Sequence, residues 1–430
     1  MRIGDSDGPR PASTVARMDG TTEVPRDAVR HVGVLARAAV VLIAVAVAAA
    51  AAIEYSGSHP SPWKRAGPPI TVSGWAPYWQ PDAALESFTN NAAVFSDVSM
   101  FAYSVTGAAS VAPYPTLDPN APLLLKRAAD AAGVEFIASI IDDTKPRAMA
   151  AILADPNLRA LHVRTVVDFV VANGFAGVDL DYENFAFNDG RDTWATTRPN
   201  WVAFLTEVSV ALHAQAKSLT VSVPPVYDDG RTDLSGYWVY DYAAMGSIVD
   251  HVRVMAYDFS TSEPGPIAPL EWVTELTKAV KDLVPLHKIL LGVPVYGYDW
   301  VTGTSGLCPA DQPLRRRNLS TKSATALAVS QGIVPVWDAV NAESTFDYVE
   351  SVTGLDATGV AATCNVRRTV WFADARAVHA RAWVAQRQDL AGISLWSLGS
   401  DDTQAWEGIA AARRGESVWP PPSVTAGSIP

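Results

Sequence analysis

Eight short apolar runs, each separated from the next by polar or helix-like segments, constrain the fold of this chain more than any other feature. The strand-like runs are 70–79, 93–105, 133–142, 175–183, 218–225, 249–259, 287–298 and 390–398, and helix-like segments between them include 121–132, 157–173, 198–217, 268–284 and 374–389. Near-continuous apolar strands that alternate with helices indicate a parallel sheet, and eight of them predict a closed α/β barrel, the (β/α)8 or TIM barrel. The alternative is a doubly wound open sheet, which would carry a glycine-rich phosphate loop after an early strand. We find no such loop.

The fourth apolar run carries three acidic residues at alternating positions. Asp179, Asp181 and Glu183 lie within the stretch NGFAGVDLDYENF, residues 173–185. Side chains on a strand alternate between its faces, so the three carboxylates share one face and the apolar residues between them take the other. Carboxylates so placed repel one another and resist burial, which predicts an active site. The alternative, a divalent-cation site, fits less well because such cations usually take ligands spread over a loop.

The other predicted strands end in aromatic and acidic residues. In a TIM barrel the active site lies at the carboxyl ends of the strands. The residues near these ends are Trp75, Tyr78 and Trp79 of strand one, Tyr103 of strand two, Met255, Tyr257 and Asp258 of strand six, Tyr296 and Tyr298 of strand seven, and Trp396 of strand eight. Packing inside the barrel is the alternative for any single aromatic residue. Together they predict a cleft whose aromatic platforms suit sugar rings.

The gap between strands seven and eight is too long for a single connection. Residues 299–389 contain short strand-like pieces and both cysteines of the chain, Cys308 and Cys364. We interpret this segment as a small α+β insertion that closes one wall of the cleft. In an exported protein the two cysteines could form a disulfide, and the alternative is two unpaired, buried thiols.

The N-terminal residues predict export or membrane attachment. Residues 1–37 are polar and read as a disordered cytoplasmic tail, and basic residues at its end precede an apolar run at 38–53. That run is a cleaved signal peptide or a signal anchor, because it is short for a span and rich in Ala, and the alternative of a buried core helix fits its polar flanks least well. Residues 54–69 read as a linker and 416–430 as a flexible tail. We therefore expect an extracytoplasmic enzyme, secreted or tethered to the membrane by this segment alone.

Composition excludes some partners. The net charge of −12 argues against binding nucleic acid, which needs a basic footprint. The two cysteines and the His residues form no recognisable metal site, so neither a metal nor another cofactor is predicted. We expect a monomer whose partner is a polysaccharide.

Several of these motifs together resemble glycoside hydrolase family 18, the chitinase-like barrels. The last three acids of the family's strand-four signature, D-x-x-D-x-D-x-E, are matched by Asp179, Asp181 and Glu183. The M-x-Y-D motif of strand six is matched by Met255, Tyr257 and Asp258, and the G-x-P-x-Y-G motif of strand seven is matched by residues 292–297. The strand-eight tryptophan is matched by Trp396, and the strand-one G-x-x-x-x-W motif is matched by Gly74 and Trp79. The resemblance covers about 70–415. Ala176 replaces the first acid, and Ser139 to Asp142 departs from the strand-three S-x-G-G, which puts chitin itself in doubt as substrate. Residues 395–402 look more like a bacterial branch that includes cell-wall and spore hydrolases.

The resemblance implies a retaining, substrate-assisted hydrolysis of β-1,4-linked N-acetylglucosamine polymers. Glu183 would be the acid, Asp181 would orient the substrate's acetamide group, and Tyr257 would hold the acetamide oxygen. Asp179 would share a proton with Asp181, and both would raise the pKa of Glu183. The alternatives are a catalytically idle, lectin-like sugar-binding barrel and remodelling by transglycosylation.

Overall fold

Eight parallel strands close into a barrel in the computed structural model, which describes residues 68–225 and 236–416. Each strand pairs in parallel with its neighbours, and the first pairs with both the second and the last. In chain order the barrel strands are β1 (Thr71–Pro77), β2 (Asp97–Gly107), β4 (Glu135–Asp142), β5 (Gly177–Asp181), β6 (Ser218–Val223), β7 (His251–Val254), β8 (Ile289–Pro294) and β14 (Gly392–Trp396). The predicted fold class is confirmed, and each barrel strand falls on one of the eight apolar runs.

Helices form the outer layer of the barrel and follow most of its strands. They are α1 (Pro81–Asn91), α2 (Ala121–Ala132), α3 (Ala148–Ala154), α4 (Pro156–Ala172), α5 (Asn184–Phe187), α6 (Arg191–His213), α7 (Tyr242–Ile248), α8 (Leu270–Lys281), α10 (Ala375–Arg387) and α11 (Ala405–Arg413). Short 3₁₀ turns occupy Ala92–Val94, Gly236–Tyr240 and Leu286–Lys288. The strands bury their outer faces against these helices in one apolar core, and a short β3 (Ser110–Pro113) pairs antiparallel with β2.

A second, antiparallel sheet lies between β8 and β14 in the chain. Its strands are β9 (Tyr296–Gly306), β10 (Arg317–Ser320), β11 (Val336–Asp338), β12 (Glu343–Leu355) and β13 (Ala361–Phe372), with helix α9 (Thr321–Ser330) packed on it. This is the α+β insertion predicted from the length of the gap. Because only Val295 separates the end of β8 from the start of β9, the insertion extends directly from the rim of the barrel.

A buried ion pair anchors the insertion to the barrel. Glu343 at the start of β12 accepts backbone hydrogen bonds from Ile267 and Ala268, which belong to the loop after β7. The guanidinium of Arg381 on α10 donates to the same carboxylate at 2.9 Å, and both side chains are fully buried. The insertion is therefore fastened to the loop that also carries Asp258.

Cys308 and Cys364 form a disulfide. Cys364 lies on β13, and Cys308 follows the end of β9, so the bond holds the segment after β9 against the neighbouring strand. Both cysteines of the chain are therefore used within the insertion.

Several predicted segments lie outside the described residues. These are the tail at 1–37, the apolar run at 38–53, nearly all of the linker at 54–69 and the C-terminal tail at 416–430, apart from Glu416. Within 68–225 and 236–416, no helix is both long enough and apolar enough to cross a membrane.

Candidate active site

Strand β5 directs its acidic side chains towards the barrel axis and the carboxyl end of the barrel. Leu180 and Tyr182 are buried on the opposite face, where the Tyr182 hydroxyl lies 3.0 Å from Nε2 of His162. Asp179 is fully buried within the barrel, Asp181 ends the strand, and Glu183 is the residue before α5. The predicted alternation of faces is therefore present, and the three acids form a ladder from the barrel interior to its mouth.

Four donors surround the carboxylate of Asp179. Its Oδ2 accepts hydrogen bonds from Trp75 Nε1 at 2.8 Å, Ser139 Oγ at 2.5 Å and Arg253 Nη1 at 2.8 Å. Its Oδ1 accepts from Ser222 Oγ at 2.7 Å. Within the described residues no hydrogen bond joins Asp179 to Asp181, and the sharing of a proton between them stays a prediction.

Arg253 is the functional-site residue that sequence reasoning missed. It lies on β7 with no exposed surface and donates to both Asp179 and Asp97, the latter at 2.6 Å. A signal for it was present, because Arg253 is flanked by Val252 and Val254 in the run of strand six, and a buried cation needs an anionic partner. The three acids of strand four supply one such partner.

The pKa of Glu183 is raised from 4.5 to about 7 by burial and then by the charge of Asp258. The charge of Asp258 thus adds to burial in raising the pKa of Glu183, and the expected contribution of Asp179 and Asp181 to this rise stays a prediction. Burial also raises the pKa of Asp181 well above its usual range, followed by the charges of Glu183 and Asp179, while Arg253 opposes the rise. Glu183 can therefore carry a proton near neutral pH, as a general acid must.

Asp181 has an unused hydrogen-bonding atom that is buried. Its Oδ1 is inaccessible to solvent and has no hydrogen-bond partner within the described residues. A buried polar atom without a hydrogen bond costs free energy, so the unpartnered oxygen in this cleft indicates that a ligand supplies the missing hydrogen bond. A polar hydrogen of a bound substrate would supply the missing bond.

Tyr257 faces the acids from the end of β7. The motif glycine Gly292 makes room for it, since a Cβ at that position would lie 2.6 Å from the Val254 carbonyl and 3.0 Å from the Tyr257 ring. Burial, followed by the charge of Asp181, raises the pKa of Tyr257 far above its usual value. The hydroxyl therefore stays protonated and can donate a hydrogen bond into the cleft.

Asp258 is held by the insertion. Its backbone adopts a φ of +61°, an uncommon conformation that Asp tolerates better than most residues. Its Oδ1 accepts hydrogen bonds from the hydroxyls of Tyr296 and Tyr298, both on β9, the second at 2.5 Å. These two tyrosines of β9 thus orient the carboxylate that raises the pKa of Glu183.

Trp396 forms one wall of the cleft and lies among other aromatic rings. Tyr257 stacks on it at 6.4 Å, and Trp75, Trp79 and Phe101 contact it edge to face. Trp79 is 52% exposed and available to a ligand, whereas Trp75 is 1% exposed and uses its N–H on Asp179. Trp75 therefore borders the cleft mainly as a support.

Tyr103 does not reach the cleft, contrary to prediction. It is buried against Phe169 and Phe175 on the helix side of β2. Strand β2 has an irregularity between Phe101 and Tyr103 in its pairing with β4, and such a bulge reverses the alternation of faces. Phe101, two residues earlier, lines the cleft instead.

The cleft itself has a volume of about 340 Å³ and opens at the carboxyl ends of the strands. It is lined by Trp75, Phe101, Asp181, Glu183, Phe187, Pro224, Pro225, Tyr237, Met255, Tyr257, Asp258 and Trp396. An adjoining cavity of about 400 Å³ shares Asp258 and Trp396 with it and adds Trp79, Tyr296, Tyr298 and residues 318–320 of β10. The two cavities meet at Asp258 and Trp396, and aromatic residues line both of them.

The donors in this groove suit a polar organic ligand better than a metal. Among the described residues, no group of three or more His, Cys, Asp or Glu side chains could hold a metal ion. Asp179, the most deeply buried of the three acids, is already occupied by its four donors. The groups left for a ligand are those of Asp181, Glu183, Tyr257 and the aromatic walls.

Comparison with known proteins gives a consistent result. The family model described as glycosyl hydrolases family 18 matches residues 82–401. The cortical fragment-lytic enzyme of Bacillus subtilis is 26% identical over 261 residues, which cover 59% of this chain and 54% of that protein. The crystal structure of a chitinase from Chromobacterium violaceum superimposes with a TM-score of 0.64 at 25% identity, covering 80% of this chain and 98% of the other.

A second solved structure resembles the chain in fold. The spore cortex-lytic enzyme SleL of Bacillus megaterium superimposes with a TM-score of 0.64 at 21% identity, covering 82% of this chain and 75% of that one. The chain spans between 52% and 61% of the length of the first curated relatives it matches.

Proposed function

Since the chain belongs to the glycosyl hydrolases of family 18, we propose that it is a glycosidase that cleaves β-1,4-linked N-acetylglucosamine polymers with retention of configuration. The observation that carries this proposal is the ladder of Asp181 and Glu183 at the mouth of the barrel. Asp181 holds an unpartnered buried oxygen, and Glu183 has a pKa raised to about 7. The similarity to cortex-lytic enzymes and chitinases supports the same class of substrate.

In the proposed first step, Glu183 protonates the leaving glycosidic oxygen. The acetamide oxygen of the substrate attacks the anomeric carbon, so that the bond to the leaving group breaks as an oxazolinium ring closes. Asp181 accepts the acetamide N–H through its free Oδ1 and stabilises the positive charge that develops. Tyr257 donates to the acetamide oxygen, a contact worth about 1–3 kcal/mol in a site sheltered from water.

In the second step, Glu183 acts as a general base. It removes a proton from water, which attacks the anomeric carbon and reopens the ring, giving net retention. Asp258 binds the same sugar from the side of strand six, and Trp396 provides an apolar surface for the ring. Met255, Tyr296 and Trp79 extend the binding surface along the groove.

The experiment is turnover of chromogenic N-acetylglucosamine oligomers of several lengths by the full-length chain. Glu183→Gln preserves shape and removes the acid, so we expect a loss of at least about 100-fold in kcat, the usual share of acid–base catalysis. Glu86→Gln, the same change on the exposed face of α1, is the matched control and should retain full activity. Binding without turnover by the wild type would instead favour the idle, lectin-like barrel.

The same assay tests the substrate-assisted route. Oligomers of glucosamine lack the acetamide group and should be bound without being cleaved. Their cleavage at a comparable rate would require a protein nucleophile and would contradict the mechanism. Transfer of the sugar to an added acceptor, detected as longer oligomers, would indicate transglycosylation.

We further propose that the enzyme acts outside the cytoplasm, as a monomer on a polysaccharide. The basic residues that precede the apolar run at 38–53 support export, and so does the disulfide in the insertion. Fractionation of cells expressing the full-length chain would test it, and recovery in the cytoplasm would contradict it.

A further inference from the structure

The residue that follows Glu183 ties the active-site turn to a loop on the neighbouring strand. Nδ2 of Asn184 donates hydrogen bonds to the backbone carbonyl of Asp142 at 2.7 Å and to that of Thr144 at 3.0 Å. Its Oδ1 accepts a hydrogen bond from Nδ2 of Asn188, just after α5. A carbonyl oxygen can only accept, so the two carbonyl partners fix which way the Asn184 amide points.

The loop after β4 is shaped to present these two carbonyl groups. Asp142 is the last residue of β4, and its Oδ1 accepts a hydrogen bond from the backbone N–H of Thr144 at 2.9 Å. This contact closes an Asx turn, which holds the two carbonyls near one donor. Asp142 stands at the last position of the strand-three S-x-G-G pattern, where a glycine would have no side chain to close the turn. The departure from the family pattern therefore creates the partner of Asn184.

A second contact joins the other ends of the same two segments. Oδ1 of the buried Asp189 accepts a hydrogen bond from the backbone N–H of Arg147, whose φ is +69°. The Arg147 guanidinium pairs with Asp192 at 2.8 Å. The turn that begins at Glu183 is thus bound to the loop after β4 at both of its ends.

The backbone before Glu183 is also held. The hydroxyl of the buried Tyr240 donates to the carbonyl of Tyr182 at 2.9 Å. No side chain caps the start of α5, so Asn184 supplies the side-chain contact that follows Glu183. Glu183 therefore lies between one backbone anchor and one side-chain anchor.

We propose that Asn184 is a positioning residue that, through the turn at Asp142, holds the carboxyl group of Glu183 where it can protonate the glycosidic oxygen. This inference rests on the proposed hydrolase function for its catalytic meaning. Glu183 lines the cleft and Asn184 does not, so Asn184 acts on the substrate only through its neighbour. A catalytic group that is displaced by about 1 Å loses much of its effect, which gives the anchor its value.

The titration of Glu183 reports how well the group is held. Its pKa is raised from 4.5 to about 7 by burial first and then by the charge of Asp258. The other titratable groups that interact with it are Asp181, Tyr240, Tyr242 and Tyr257. A turn released from its anchor would bring Glu183 into fuller contact with water and lower its pKa.

The direct test is carbon-13 NMR of the full-length chain labelled at the side-chain carboxyl carbon of Glu, with the Glu183 signal assigned by its absence in Glu183→Gln. Asn184→Leu keeps the size of the side chain and removes the amide, so the midpoint of the Glu183 signal should fall by about 1 pH unit. Asn184→Gln keeps an amide, and its midpoint should lie closer to that of the wild type. A folded Asn184→Leu variant with an unchanged midpoint would overturn the proposal, and so would equal midpoints in the two variants.

The matched control is Asn173→Leu. Asn173 is exposed after α4, and its Nδ2 also donates to a backbone carbonyl, that of Phe169 at 2.8 Å. The same substitution there should leave the Glu183 midpoint and the activity unchanged. A midpoint that falls equally in the control would show a general effect of lost stability and would reject the specific role of Asn184.

A variant on the other side of the contact keeps the test decisive if Asn184→Leu fails to fold. Asp142→Ala opens the turn and should also lower the Glu183 midpoint. In the double variant with Asn184→Leu the two effects should add to less than their sum, because both act through one contact. A folded Asp142→Ala variant with an unchanged midpoint, or full additivity of the two effects, would contradict the coupling.

Kinetics on the N-acetylglucosamine oligomer provide a second readout. In Asn184→Leu, kcat should fall by about 10- to 100-fold while KM stays within about twofold, and the alkaline limb of kcat/KM should follow the NMR midpoint. A loss of stability with kcat and the limb unchanged would show a merely structural role and refute the proposal. The NMR titration needs no turnover, so an inactive wild type whose midpoint responds to Asn184→Leu would reject the hydrolase function and leave the positioning of Glu183 intact.

Discussion

Replacement of Asp258 by Asn should move the alkaline limb of kcat/KM to lower pH. Burial and the charge of Asp258, in that order, raise the pKa of Glu183 from 4.5 to about 7. A catalytic acid is active only while it is protonated, so activity falls as the pH rises through that pKa. Removal of the negative charge makes the ionised form of Glu183 less unfavourable, which lowers its pKa and brings the loss of activity to lower pH.

The size of the effect follows from the order of the two causes. The pKa of Glu183 rises from 4.5 to about 7, and burial contributes more to this rise than the charge of Asp258 does. Asp258 therefore accounts for less than half of the rise, so the limb should move by about 1 pH unit, or ~1.4 kcal/mol in the ionisation of Glu183. The plateau of kcat/KM will also fall if Asp258 contacts the sugar, but this changes the height of the profile and leaves the limb in place.

The assay is the pH dependence of kcat/KM on a chromogenic N-acetylglucosamine oligomer. Asn retains an oxygen that can accept the hydrogen bonds of Tyr296 and Tyr298, so the geometry of the loop should persist. Tyr298→Phe is the matched control, because it removes one of these bonds and keeps the charge of Asp258. An alkaline limb that stays in place or rises in Asp258→Asn would refute the assignment of Asp258 as the charge acting on Glu183.

Three further predictions follow from burial and covalent links. Tyr103→Ala should lower the free energy of unfolding by about 3–5 kcal/mol with KM unchanged, as measured by denaturant titration. Trp79→Ala should weaken oligomer binding by about 0.5–1.5 kcal/mol with little change in stability, as measured by binding isotherms. The reverse pattern would contradict the placement of these rings. Burial lowers the pKa of His162 from 6.5 to about 4. The unfolded chain therefore binds this proton at a higher pH than the folded chain, and stability falls as the pH drops through this range. Relative to His162→Gln, the loss of stability should reach about 2 kcal/mol near pH 5, and equal slopes of stability against pH in the two proteins would refute this. Replacement of Cys308 and Cys364 by Ser should cost about 4 kcal/mol for a loop of 56 residues, measured against the oxidised wild type, and an unchanged midpoint would count against the link.

The barrel and its family could be predicted from the sequence because their signals are local. Each of the eight apolar runs overlaps one barrel strand, and the motifs at residues 176–183, 255–258 and 292–297 are short and contiguous. The family resemblance drawn from these motifs is confirmed by the match over 82–401. The distance between strands seven and eight likewise indicated the insertion, since parallel neighbours rarely need so long a connection.

Tyr103 shows where such reasoning fails. Its position near the end of a strand placed it in the cleft by the rule of alternation, but a bulge after Phe101 turned it towards the helices. A bulge depends on how one strand pairs with another, and the residues of β2 alone do not reveal it.

The sequence by itself determined the fold class, the order of the strands and the face on which Asp179, Asp181 and Glu183 lie, because hydrophobic periodicity and strand geometry act over a few residues. The tertiary structure alone decided the electrostatics of these acids. Arg253 lies 74 positions after Asp179 and Asp258 lies 75 positions after Glu183, and closure of the barrel brings each pair close enough for their charges to interact. Coulombic interactions and burial depend on distance in space, so the protonation of the site could be read only from the folded chain.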